Sequence, residues 1–320
     1  MVVGTAVDGL TGVQRALELR PDVITMDVEM PRMDGVHAVR EIMRTVPTPI
    51  VMLSTLTRAG AETTIQALEA GAVDCVAKPS GLSHELAGVE ARLTQAIQRA
   101  KETRVLPRHT QLTPLPTLRS GRDDRGRVER PAKHVLIIGS STGGPPALST
   151  LIPRLPANLD AGIIVVQHMP AGFTDALARR LDSFSALRVS EAKDGDIVAT
   201  GHVLVAPGDY HLEVTAERRV RIHQSATRHG VRPAIDLTLE SVAPVYGQNT
   251  TVAILTGMGK DGAAGAAMIE QAGGKVFVQD EATCVVYGMP RVTRELTRRA
   301  RELPIDKMAD ALAAVIGIAR

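Results

Sequence analysis

The chain has 320 residues, enough for two domains of ordinary size, and 44% of them are apolar, so sizeable cores are within reach. Aromatics make up only 2% and tryptophan is absent, so those cores rest on Val, Ile, Leu, Ala and Met. A formal net charge of +2 gives no basis for binding nucleic acid or a membrane surface, and no apolar run approaches the ~18 residues of a membrane span. In chain order, VVGTA, DVITMDV, PIVMLST and AVDCVAK read as short strands. GVQRALELR, DGVHAVREIMRTV, GAETTIQALEAG and SHELAGVEARLTQAIQRAK carry the three- and four-residue apolar spacing of helices. This alternation predicts a parallel sheet covered by helices over residues 1–102.

Residues 103–132 are rich in proline, glycine and arginine without a sustained period, which is linker composition. Residues 133–320 form the second domain. HVLIIG, AGIIVVQH, TVAILTG and GGKVFVQD are continuous apolar runs, as expected of parallel strands buried on both faces. Between them, residues 196–223 hold β-rich runs separated by turn signals, with no room for helices, and predict hairpins attached to the sheet. The fold class is therefore α/β, with two doubly wound parallel-sheet domains, the second Rossmann-like with a β-hairpin addition.

Three strand ends of the first domain offer Asp27, Ser54 and Lys78, a carboxylate, a hydroxyl and an ammonium. In a parallel sheet such ends share one edge, where ligands bind. The set suits phosphoryl transfer to the carboxylate, with hydroxyl and ammonium holding phosphoryl oxygens and Mg²⁺ offsetting the charge. With DVEMPRMDG between them, these residues resemble the receiver domain of two-component response regulators, a flavodoxin-like fold. The resemblance implies that Asp27 is the phospho-acceptor, with Ser54 as switch hydroxyl and Lys78 as phosphate-binding lysine. The chain opens at VVGTAVDG, which reads as the second strand of that family. The receiver is therefore expected to lack its first strand and helix, roughly 30–40 residues with their loops, through a start site upstream of Met1 or a trimmed end. The acidic pair that would hold Mg²⁺ goes with them. Asp27 and the Glu29 carbonyl remain as an incomplete metal site, so efficient phosphorylation is not expected.

GSSTGG, residues 139–144, joins a strand to a helix. It lacks the Gly-x-Gly-x-x-Gly spacing and the Lys-Ser/Thr pair of phosphate loops. Taken alone it leaves a phosphate loop, a nucleophile and a plain tight turn open. Two further strand ends carry His168 and Asp261, so Ser141, His168 and Asp261 can converge on one sheet edge. His168 would take the serine proton and Asp261 would orient the imidazole. The helix after Thr142–Gly143–Gly144 offers free N–H groups to an oxyanion, and the glycines at 257 and 259 allow close backbone approach.

GSSTGGPPAL, VVQHMPAGFT, GHVLVAPGDYHLEV, LTGMGKDGAAG and QDEATCVVYGMP resemble the catalytic domain of the chemotaxis protein-glutamate methylesterase family. The resemblance implies the triad Ser141, His168 and Asp261, with Thr142 and the Met258 amide at the oxyanion or beside the nucleophile. It implies hydrolysis of γ-glutamyl methyl esters on chemoreceptor cytoplasmic domains, with deamidation of receptor glutamines in some members. It also implies control by the chemotaxis histidine kinase through the receiver, no cofactor for catalysis, no nucleic acid, no membrane insertion and a monomer in the cytoplasm. The two cysteines, Cys75 and Cys284, are expected as reduced core thiols. Two other readings stand beside this one. One is a nucleotide-binding protein using the GSSTGG loop, which predicts measurable nucleotide binding. The other is a non-catalytic two-component signalling module.

Overall fold

The computed structural model describes residues 1–79, 86–103, 105 and 130–318, which fall into two compact units, Met1–Gln111 and Leu112–Arg320. Most of the expected linker 103–132 and the start of the helix expected from Ser83 lie outside the described residues.

The first unit runs α1 (Gly9–Leu19), β1 (Ile24–Asp27), α2 (Gly35–Thr45), β2 (Ile50–Ser54), α3 (Arg58–Glu69), β3 (Asp74–Ala77) and α4 (Leu86–Lys101). Its strands form a parallel sheet of order β1-β2-β3. Ile50, Val51 and Met52 of β2 are fully buried, as a central strand between helical layers requires. Helix starts follow the sequence: Asp8, Asp34 and Thr57 cap α1, α2 and α3 by accepting from the N–H groups of Thr11, His37 and Gly60.

The expected first strand, VVGTA, is not one. Residues 2–6 are exposed and carry no ladder. β-Branched composition makes a strand only where a ladder answers its backbone groups, and residues 2–6 join none, although the outer edge of β1 is unpaired among the described residues.

The second unit holds a seven-stranded sheet of order β12-β11-β10-β4-β5-β7-β6, parallel throughout. Its strands are β4 (Val135–Ser140), β5 (Gly162–Gln167), β6 (Arg188–Glu191), β7 (His202–Val205), β10 (Thr250–Ile254), β11 (Lys275–Gln279) and β12 (Arg301–Leu303). The helices are α5 (Gly144–Leu151), α6 (Phe173–Phe184), α7 (Ile235–Tyr246), α8 (Ala263–Gln271), α9 (Met289–Leu296) and α10 (Ile305–Ile316). β4 and β5 are buried at every position, which explains their unbroken apolar runs.

The hairpin expectation over 196–223 holds only in part. β7 is buried at all four positions and lies inside the parallel sheet, reached from β6 by a loop that holds no helix. Only β8 (His211–Val214) and β9 (Val220–His223) form an antiparallel hairpin, and it packs on α7 rather than extending the sheet. The chain leaves β4 toward β5 on one side and returns to β10 on the other. Strand order therefore reverses at β4, and the crevice at such a switch point is where open α/β sheets bind ligands.

Candidate active site

Ser141, His168 and Asp261 all lie beyond the carboxyl ends of strands at this crevice. Ser140 pairs with Gln167 across β4 and β5, so Ser141 and His168 leave adjoining strands side by side. The His168 N–H donates to the Ser140 carbonyl at 3.1 Å. Asp261 lies in the loop between β10 and α8. It is not the cap of its own helix: α8 is capped by Gly262, without a side-chain bond. The Asp261 carboxylate instead caps α7, accepting from the N–H of Ile235 at 2.7 Å and of Asp236 at 2.9 Å.

His168 Nε2 lies 2.8 Å from Asp261 Oδ2. Burial works to raise the Asp261 pKa, but the hydrogen bond and charge of His168, with the N–H groups of Asp236 and Ile235, outweigh it and hold the carboxyl below its ordinary value. The group is thus an anion at neutral pH, and His168 must donate to it from Nε2. In the neutral imidazole, Nδ1 is then the ring nitrogen without a proton. Neither His168 Nδ1 nor Ser141 Oγ makes a hydrogen bond among the described residues, so both are open to a substrate.

The turn around Ser141 is built from close backbone approaches. Gly143 takes a left-handed φ of 77° at the start of α5. The Ser141 N–H donates to the Thr256 carbonyl at 3.0 Å, and Gly257 lies so near that a Cβ there would stand 2.8 Å from Ser141 Cβ. The expected supply of N–H groups from α5 needs correcting: Pro145 and Pro146 have none, and the Gly144 N–H is taken by the Ser141 carbonyl at 2.7 Å. The backbone N–H groups of Thr142 and Met258 donate to no acceptor among the described residues, which leaves them available to an oxyanion. Thr142 itself is buried, and its carbonyl accepts from Thr256 Oγ1 at 3.0 Å.

Four residues of the site were not singled out from the sequence. Gln167 is 2% exposed; its Nε2 donates to the carbonyls of both Ser141 and His168 at 3.0 Å, and its Oε1 accepts from Ser140 Oγ at 2.6 Å. One buried amide therefore ties the Ser141 turn to the start of the His168 loop. Gln279 accepts from the Thr256 N–H at 2.9 Å and steadies the strand end that Ser141 leans on. Asp236 and His229 lie behind Asp261, with His229 Nε2 2.9 Å from Asp236 Oδ2. For Gln167 and Gln279 the available signal is a polar residue ending an otherwise apolar buried run, VVQ and VFVQ; Asp236 and His229 carry no such signal.

In the first unit, Lys78 Nζ is hydrogen-bonded to Asp27 Oδ2, and the Glu29 N–H donates to Asp27 Oδ1 at 3.1 Å. Asp27 and Lys78 meet as expected; Ser54 does not join them. Its hydroxyl is fully buried and donates to the Gly60 carbonyl at 3.1 Å, at the start of α3. Asp27 and the Glu29 carbonyl do not fit a Mg²⁺ ion as a ready site, because both Asp27 oxygens are engaged by the protein and, among the described residues, no metal-ligating cluster includes Asp27. Both cysteines are free and buried. Among the described residues no helix is long and apolar enough to cross a membrane.

Residues 136–312 match the family model described as CheB methylesterase, and residues 1–89 match that of the response regulator receiver domain. A protein-glutamate methylesterase/protein-glutamine glutaminase of Symbiobacterium thermophilum is 50% identical over 325 residues, spanning 99% of this chain and 90% of that protein. One of the same name from Thermotoga maritima is 45% identical over 317 residues, spanning 97% and 90%. The crystal structure of the Thermotoga maritima CheB methylesterase catalytic domain matches with a TM-score of 0.55 and 46% identity, covering 57% of this chain and 98% of that one. With a serine, a histidine and a buried carboxylate gathered at the switch point of the matched segment, the chain belongs to the CheB methylesterase family and carries a response regulator receiver domain before the catalytic one.

Proposed function

We propose that this protein hydrolyses γ-glutamyl methyl esters on the cytoplasmic signalling domains of chemoreceptors, and deamidates glutamines there, through an acyl-enzyme on Ser141. The reading rests on one observation above all: His168 gives Nε2 to the ionised Asp261, and its Nδ1 and the Oγ of Ser141, at the adjoining strand end, have no hydrogen-bond partner among the described residues. Ser141 Oγ attacks the ester carbonyl carbon as His168 Nδ1 takes its proton. The carbonyl π pair moves to oxygen, and the N–H groups of Thr142 and Met258 receive the oxyanion. Collapse expels the alkoxide, which takes the proton from His168 and leaves as methanol. Water then attacks the acyl-enzyme with His168 again as base, and releases the glutamate carboxylic acid and Ser141. With a glutamine substrate the same steps release ammonia. Asp261 keeps its negative charge throughout and stabilises the imidazolium formed in each half.

In the receiver, Asp27 is the proposed phospho-acceptor and Lys78 its cationic partner. Ser54 takes part only after its hydroxyl leaves the Gly60 carbonyl. The chemotaxis histidine kinase is the proposed phosphoryl source. The decisive experiment is Ser141→Ala. Methanol release from methylated receptor falls to background while circular dichroism and melting temperature stay those of the wild type; wild-type turnover in that variant would overturn the assignment.

A further inference from the structure

Behind the proposed triad lies a second histidine. His229 Nε2 is 2.9 Å from Asp236 Oδ2 and 3.9 Å from Asp261 Oδ1. Asp236 is 1% exposed, and its own N–H donates to Asp261 Oδ1 at 2.9 Å. Its second oxygen, Oδ1, accepts from the Gly265 N–H at 2.8 Å, where α8 begins. Four groups thus form one chain: His229, Asp236, Asp261, His168. Each of the four carboxylate oxygens in it already accepts a hydrogen bond from the protein, so the cluster is a hydrogen-bond relay rather than a metal cage. The neighbouring Arg228 is turned away to Glu240, at 2.9 and 2.6 Å, and His211 Nδ1 accepts from the Ala234 N–H at 3.2 Å just before α7.

We propose that His229 is a positioning residue for the hydrolysis: by donating from Nε2 to Asp236 it fixes the first turn of α7, and through the two N–H groups of that turn it fixes the plane of the Asp261 carboxylate on which His168 is aimed. The inference rests on the triad reading above. Its physical basis is that Asp236 cannot leave a buried oxygen unanswered. Without His229, Oδ2 must turn toward solvent or toward Asp261, and either movement shifts the N–H groups of Ile235 and Asp236 that hold Asp261. A displacement of a fraction of an ångström in a base is felt in the chemical step and not in substrate binding. His229 is reachable for substitution, since its side chain is 28% exposed on a turn at φ 55°.

The test compares three variants of the full chain by methanol release from methylated receptor. His229→Ala lowers kcat about ten- to a hundredfold with KM within about twofold. His229→Asn, whose amide is too short to reach Asp236 but which accepts a left-handed φ without strain, does the same and excludes a backbone cause. His229→Gln places an amide N–H where Nε2 stood and restores kcat to within about fivefold. Unchanged kcat in both His229→Ala and His229→Asn overturns the inference, as does failure of His229→Gln to recover activity while melting like the wild type. Ser141→Ala in the same assay separates the two levels: activity there overturns the triad itself, whereas an inactive Ser141→Ala beside a fully active His229→Ala overturns only the role of His229.

Discussion

Asp261 shows how much one side chain can be made to do. Its two oxygens take the first N–H groups of α7 and the Nε2 proton of His168, so the same carboxylate is helix cap and, in the proposed mechanism, base orienter. Replacing it by Asn puts an N–H₂ group where an acceptor is needed, and either a backbone N–H or the imidazole loses its partner. Asp261→Asn should lower kcat on the order of a thousandfold or more, read as methanol release. It should also change the pH dependence of stability. The folded-state pKa of Asp261 lies below the ordinary 3.8, so its contribution is complete above the unfolded value and is lost as pH falls through the folded one. Urea-unfolding free energies of the wild type and Asp261→Asn should therefore draw together between about pH 5 and about pH 2; a constant gap would mean that the carboxylate charge is not what stabilises. The sequence made Ser141, His168 and Asp261 legible because each follows a strand pattern. It did not separate Asp261 as cap of its own helix from Asp261 as cap of α7, since the second role depends on a helix that begins 26 residues earlier in the chain. Gln167 stayed hidden for a related reason. Its value comes from two carbonyls on different loops, and no local spacing encodes that.

At the scale of elements, the unit that matters is β4, its turn and α5. Gly144 opens α5 directly against Gln167, and a Cβ there would run into the Gln167 carboxamide. Gln167 is the buried amide that ties Ser141 to His168, so the turn cannot yield without releasing the base. Gly144→Ala should lower stability by about 1–3 kcal/mol and reduce turnover by more than about tenfold, checked by thermal melting and methanol release on the same preparation. A stable variant with full activity would show that Gln167 can move without cost. The strands legible in the sequence were those buried on both faces, where apolar runs are continuous. The two edge strands β6 and β12 escaped, because an edge strand of three or four residues with partly exposed positions leaves no run to recognise. The same logic explains the hairpin region. β7 was taken for a hairpin arm because its turns resemble hairpin turns, yet its four buried positions are those of an interior parallel strand.

Across the whole molecule, two parallel sheets place their chemistry at the carboxyl ends of strands, Asp27 and Lys78 in one and Ser141, His168 and Asp261 in the other. The second sheet is wide enough to have a switch point, and all three residues of its proposed triad lie there. The first has three strands among the described residues, and the strand expected at VVGTA joins none of them. What composition could not reveal is how its one candidate acceptor is occupied. Asp27 is held by Lys78 at one oxygen and by the Glu29 N–H at the other. Asp8, the buried acid of this unit, is committed to Arg32 and to the Thr11 N–H at 2.9 Å, so it does not supply a second carboxylate. Mg²⁺ demands near-octahedral oxygen donors and is usually held by one or two carboxylates together with phosphate oxygens. With a single, already engaged carboxylate, this chain should bind beryllofluoride in Mg²⁺ only weakly, without saturation below about 1 mM, measured by fluorine-19 NMR or calorimetry. Lys78→Ala, which frees Asp27 Oδ2 but removes the cation beside the phosphoryl oxygens, should not improve it. Saturable binding at micromolar concentration would mean that donors other than Asp27 and the Glu29 carbonyl reach the metal, and that the receiver can be switched as it stands.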